Sequence, residues 1–185
     1  MNHRNLILAE AQNLETKRLI LRKITLDDAN EIFAYASNPD VARYTSFKPH
    51  DCLETTKLTI ANFFLPNSLY HWGIVEKTSG QLIGEIFVKQ INDKTVEFGW
   101  ILNQNNWGRG YVPEAAKCLF ALCFDQLEIE LIQANHLPEN TKSGRVMEKL
   151  GMKRLGQIYS YFPKFKKPIL TDYWAITKKE WDLLN

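Results

Sequence analysis

The chain has 185 residues, of which 45% are hydrophobic and 24% charged, and its formal net charge is +2. That length can bury a substantial core, and the composition is that of a folded soluble chain rather than a disordered or fibrous one. So slight a charge argues against a nucleic-acid partner, and no apolar run approaches the roughly 20 residues that cross a bilayer, so neither nucleic acid nor membrane is expected.

The N-terminal "NLILAEAQ" is too short, and too soon interrupted by Glu10, for a secretory signal. Residues 1–14 read as an extended or loosely packed segment of one domain spanning 1–185, since no repeat or linker divides the chain. "TKRLILRKI" (16–24) alternates as a strand, and Thr25 caps a helix with Asp27 and Asp28 in its first turn, ending near Asn38-Pro39. An aromatic loop, "YTSFKPHD", leads to a second helix from about Leu53 to Phe64, stopped by Pro66. "YHWGIVE", "QLIGEIFVKQ" and "TVEFGWIL" are three strands joined by hairpin connections. A helix from Pro113 to Leu127 follows, then the strand "LIQANH", and a helix over Lys142–Leu150 that ends at Gly151. "MKRLGQIYSY" and "ILTDYWAIT" close the chain as two further strands. This order is that of an α+β protein, a mixed sheet with helices on its faces. Cys52, Cys118 and Cys123 fit no metal or redox spacing and read as reduced thiols of a cytoplasmic protein. The four histidines are scattered, so no metal site is expected.

The chemistry concentrates in "NNWGRGYVPEAAKCLFALCF" (105–124). Pro113 suits the first helical position, and the loop before it would present unpaired N–H groups at the positive end of a helix. Gly108 and Gly110 would let that backbone approach a phosphate, and Arg109 would add a forked donor. A plain strand-to-helix turn is the alternative. The loop lacks the Gly-Lys-Ser/Thr of a Walker motif, and Pro113 stands where a dinucleotide fingerprint needs its third glycine.

The loop resembles that of the GCN5-related N-acetyltransferase (GNAT) superfamily, Gln/Arg-x-x-Gly-x-Gly/Ala between the fourth strand and third helix. Here it is Asn105-Asn106-Trp107-Gly108-Arg109-Gly110, with Asn105 departing from the pattern. "LETKRLILRKITLDDANEIF", "EFGWILNQNNWGRGYVPEA", "NTKSGRVMEKLGM" and "TDYWAITKKEW" resemble, in order, segments of the RimJ/RimL-like branch of ribosomal-protein-alanine acetyltransferases. The resemblance implies a mostly antiparallel twisted sheet of about seven strands, helices on both faces, splayed between its fourth and fifth strands. It implies acetyl-CoA as cosubstrate and, by direct attack on the thioester, a primary amine as acceptor. That amine is a small molecule or a protein N-terminus, ribosomal ones included, and the enzyme is a monomer or homodimer. Trp100, Ile101 and Leu102 would face the pantetheine. Trp107, Gly108, Arg109, Gly110, Tyr111 and Val112 would face the pyrophosphate; on the next helix Asn140 would hold the turn and contact the pantetheine beside Ser143, and Lys142 and Arg145 would meet the nucleotide phosphates or else stay solvated.

Amine acetylation needs a base for the amine and an acid for the thiolate. Glu97 shares a strand face with Gly99 and Ile101, where the glycine leaves room for a substrate; Glu85 is its competitor, and either would otherwise be a solvated or ion-paired strand glutamate. The family's usual tyrosine acid is replaced by Met147, so Ser143 of the "N-x-x-S" pattern inherits that role by resemblance, unless it merely bonds its own helix. The acceptor pocket is expected from Tyr44–His50, the second helix, and Tyr159, Tyr161 and Phe162. A non-catalytic acyl-CoA sensor on the same fold is the competing reading, favoured by Met147.

Overall fold

The computed structural model describes residues 3–184. Eight strands form one sheet: β1 Asn13–Glu15, β2 Leu19–Arg22, β3 His71–Glu76, β4 Leu82–Asn92, β5 Thr95–Leu102, β6 Leu131–His136, β7 Lys153–Phe162 and β8 Lys167–Thr177. Their spatial order is β1-β2-β3-β4-β5-β6-β8-β7. Every pair is antiparallel except β5 with β6.

The helices are α1 His3–Glu10, α2 Ala29–Ala36, α3 Pro39–Ala42, α4 Leu53–Thr59, α5 Tyr111–Ala121, α6 Thr141–Lys149 and α7 Lys178–Asp182. Strand alternation sorts the core onto two faces. Trp72, Ile74, Ile86, Val96 and Phe98 pack with Phe120 and Leu119 of α5, whereas Val75 and Leu82 pack with Ile32 and Tyr35 of α2 and with Ile60. Phe120 is fully buried, its ring 4.7 Å from that of Phe98 and 5.8 Å from that of Trp181.

Three expectations are corrected. Of the segment 1–14, whose first two residues lie outside the described ones, the rest is not loose: α1 buries Leu8, and the Trp72 indole donates to the Ala11 carbonyl at 2.8 Å. The expected first strand, 16–24, is shorter and forms a hairpin with β1, because the Leu19 carbonyl accepts from the Thr16 N–H at 2.9 Å and closes a turn; this adds the eighth strand. The helix over Thr25–Asn38 is stepped. Asp28 turns back to accept the Thr25 N–H at 2.7 Å and both Arg22 donors, giving one tight turn before α2. Asn38 then caps α3 instead of ending one continuous helix. Both α4 and α5 run on into π-turns, Ile60–Phe64 and Leu122–Gln126. Gly151 closes α6 at φ +77°, as a C′ glycine does.

Candidate active site

β5 and β6 pair at only three positions, Thr95–Leu131, Val96–Ile132 and Glu97–Gln133. Beyond Glu97 each strand stays with its other neighbour, β5 with β4 as far as Leu102 and β6 with β8 as far as His136, so the two diverge. The opening is a cleft of about 730 Å³. One wall is Phe98–Leu102 with Trp107, Gly108 and Gly110–Pro113; the other is Asn135–Leu137 with Asn140, Lys142, Ser143 and Arg145.

The glycine loop stands at the cleft's edge with Gly108 at φ +77° and Gly110 at φ +79°, conformations that side chains disfavour. A Cβ added to Gly108 would meet no protein atom within 4 Å, so the space over it is open. Gly110 is the N-cap and α5 begins at Tyr111. Pro113 is therefore the third helical residue, not the first; its missing N–H costs nothing at either place, since a helix's first N–H groups have no intrahelical partner. The main-chain N–H groups of the loop and of Tyr111 and Val112 thus gather at a positive helix end.

The loop is held from outside the cleft. Glu114 accepts from the Thr16 hydroxyl at 2.6 Å, the Arg18 N–H at 2.8 Å and the Arg18 guanidinium at 2.7 Å. Arg18 also donates to the Arg109 carbonyl at 2.9 Å and covers the Tyr111 ring at 4.5 Å. The Arg109 side chain is exposed and does not line the cleft. Sequence reasoning missed Arg18 and Glu114 because their contact spans 96 positions.

On the facing wall Asn140 caps α6. Its oxygen accepts from the Ser143 N–H at 3.4 Å, and its amide donates to the Ser143 hydroxyl at 3.0 Å, which leaves the hydroxyl proton for a third group. The Lys142 ammonium lies 3.6 Å over the Trp107 ring, joining the two walls. Met147 is buried. His136, which the sequence does not single out, lines the cleft; its Nδ1 faces the Leu137 carbonyl at 2.8 Å and its Nε2 accepts from the Trp174 indole at 3.1 Å. An indole N–H only donates, so this ring carries its proton on Nδ1.

Glu97 stands just outside the cleft lining, one carboxylate oxygen accepting from Asn135 at 3.2 Å and from Gln133 at 3.4 Å. Asn135 does line the cleft, so Glu97 is one side chain removed from it. The room expected over Gly99 is taken by Phe87, whose ring would lie 2.1 Å from an added Cβ. Glu85 lies under α2 at 4% exposure; burial pushes its carboxyl up to about 8, and one of its oxygens has no partner among the described residues. It does not line the cleft.

Of the expected acceptor residues, Tyr44, Thr45, Ser46, Phe47 and Phe162 line the cleft, and Lys48, Pro49 and His50 do not. Tyr159 and Tyr161 point to solvent at 76% and 65% exposure, and α4 contributes no side chain to the lining. Lys164, at the tip between β7 and β8, donates to the Ala42 carbonyl at 2.7 Å and so ties that tip to α3.

Residues 18–153 match the acetyltransferase (GNAT) domain family. The chain is 30% identical over 172 residues to an uncharacterized N-acetyltransferase, YnaD, of Bacillus subtilis (strain 168), covering 92% of this chain and 99% of YnaD. A GNAT-family acetyltransferase from Bacillus anthracis superposes with a TM-score of 0.80 at 28% identity, covering 90% of this chain and 99% of that one. At 19% identity, the ribosomal-protein-S5-alanine acetyltransferase of Vibrio fischeri shares the fold with a TM-score of 0.71, covering 91% and 98%.

Proposed function

Because the chain belongs to the GNAT acetyltransferase family, we propose that it moves the acetyl group of acetyl-CoA onto a primary amine held in the cleft. The observation that carries this is the meeting, in one cleft, of an unpaired strand end with an open, positively poised glycine loop. Acetyl-CoA supplies the acyl group as a thioester. The open space over Gly108 fits a pyrophosphate, which the N–H groups from Gly108 to Val112 would hold. The divergent stretch Trp100–Leu102 would align the amide-bearing arm, because its edge toward β6 has lost its strand partner.

By our reading Glu97 takes the proton of the incoming amine through a bridging water, since Asn135 stands between it and the cleft; its amide donors orient the carboxylate and leave its second oxygen for that relay. Ser143 protonates the departing thiolate, its lone pair already engaged by Asn140. Arg145 and Lys142 add positive charge beside the phosphates. The three cysteines, none of them in a disulfide, fit a cytoplasmic protein.

Thiol release from acetyl-CoA over a panel of primary amines tests the reading. Glu97→Gln and Ser143→Ala should each lower turnover by about 10²-fold or more while leaving acetyl-CoA affinity within about twofold. Tight acetyl-CoA binding with no thiol release for any amine would return the chain to the sensor reading.

A further inference from the structure

Glu97 and Gln133 are the last pair before β5 and β6 part, and Tyr173 reaches this point from a third strand, β8. It stands opposite Asn135, two places along β8 from Ala175, the partner of Gln133; such a diagonal is within reach of a long aromatic side chain. The Tyr173 hydroxyl donates to Gln133 Oε1 at 2.9 Å. Gln133 Nε2 in turn donates to Glu97 Oε2 at 3.4 Å, and Asn135 Nδ2 donates to the same oxygen at 3.2 Å. Side chains of three strands thus make one polar chain across the apex of the cleft.

The weakest contact in that chain is the one from Gln133 to the carboxylate. At 3.4 Å it is long for an N–H···O bond and would not hold an amide by itself. An ionised carboxylate only accepts, so a single orientation of the Gln133 amide serves both neighbours, oxygen toward the phenol and nitrogen toward Glu97. Turned over, it would set two acceptors against each other. Burial and, after it, the Glu97 charge push the Tyr173 phenol up, so it stays a protonated donor through the neutral range. Neither Gln133 nor Tyr173 lines the cleft, so neither meets a ligand there directly.

Building on the assignment of Glu97 above, we propose that Tyr173 is a positioning residue: its hydroxyl locks the Gln133 amide with its N–H toward Glu97, and so aims the free carboxylate oxygen at the bridging water. The lock acts at the closed end of the fork, where the backbone ladder between β5 and β6 has just ended and only side chains still fix the carboxylate. It bears on the rate of proton removal and not on the hold on acetyl-CoA, whose glycine loop lies elsewhere in the cleft.

The test is a double-mutant cycle on kcat, with the amine that releases thiol fastest. Tyr173→Phe, which keeps the ring and loses the donor, should lower kcat about tenfold and leave the KM for acetyl-CoA within about twofold. In a Glu97→Gln background the same substitution should change kcat by less than about twofold, because the group it positions is gone. Gln133→Met keeps the length and loses the amide; it should match Tyr173→Phe, and serves if that variant does not fold. A merely structural tyrosine would cost activity equally in both backgrounds, and that result, or a full rate in Tyr173→Phe, would overturn the proposal. A second readout needs no turnover. By NMR, the side-chain NH2 of Gln133, identified by its loss in Gln133→Met, should exchange with water about tenfold faster in both Tyr173→Phe and Glu97→Gln. Should no amine release thiol, the transferase reading falls and this exchange alone decides: faster in both variants, the lock stands; unchanged, it does not.

Discussion

Glu85 makes the stability of this protein depend on pH in a way that one substitution can isolate. Its carboxyl is buried beneath α2 without a countercharge among the described residues, and desolvation raises its pKa from 4.5 to about 8. Raising the folded-state value means that the folded chain keeps a proton which the unfolded chain gives up above pH 4.5. The associated stability is complete below about pH 4.5 and is lost as pH rises toward about 8. At pH 7 the gap is about 2.5 pH units; at roughly 1.36 kcal/mol per unit this is about 3 kcal/mol against folding. Glu85→Gln keeps the shape and removes the titration. Urea unfolding at pH 5, 6, 7 and 8 should show the variant gaining on the wild type by about 3 kcal/mol across that range. His71 also titrates there, with its folded-state value lowered, but it is common to both proteins and cancels in the difference. A difference curve flat from pH 5 to 8 would refute the reasoning and show that Glu85 is charged and compensated in the fold.

Gly108→Val should strain the backbone by about 1–3 kcal/mol at φ +77° and abolish the rise in melting temperature that acetyl-CoA gives the wild type. Phe120→Ala should cost about 3–5 kcal/mol in denaturant unfolding, since the ring is fully buried against Phe98 and Trp181. Glu114→Ala releases Thr16 and Arg18 together; an expected loss of about 1–2 kcal/mol, discounted for the partly exposed Arg18, should come with weaker acetyl-CoA binding by calorimetry. Tyr35→Phe removes a buried hydroxyl that has no partner among the described residues and should leave stability equal or higher in the same unfolding assay.

What could be read in advance was local. Gly108, Gly110 and Gly151 announce backbone conformations by their identity alone, and the strand pattern of "TVEFGWIL" shows by alternation which residues face together. The α1 helix escaped because Leu8 is its lone buried side chain, too little for a periodic signal. Gly99 by its identity suggests room for a substrate. The register of β4 against β5, which no short window reveals, gives that room to Phe87. Glu85 has the alternation of a strand face, but only α2 packing across it makes the position dry. The His136–Trp174 bond joins residues 38 apart and depends on β8 lying between β6 and β7, an order that neither hairpin turns nor periodicity encode.

That placement of β8 also fixes when the cleft can exist. During synthesis the glycine loop and α5 leave the ribosome first, yet β6 has its second neighbour only once Lys167–Thr177 has emerged and threaded in ahead of β7. Trp181, which packs on Phe120 and Phe124, arrives later still. A nascent chain that has not yet reached Lys167 therefore owns every atom of the loop without a competent pocket around it. Ligand capture waits on a strand more than forty positions downstream of α5.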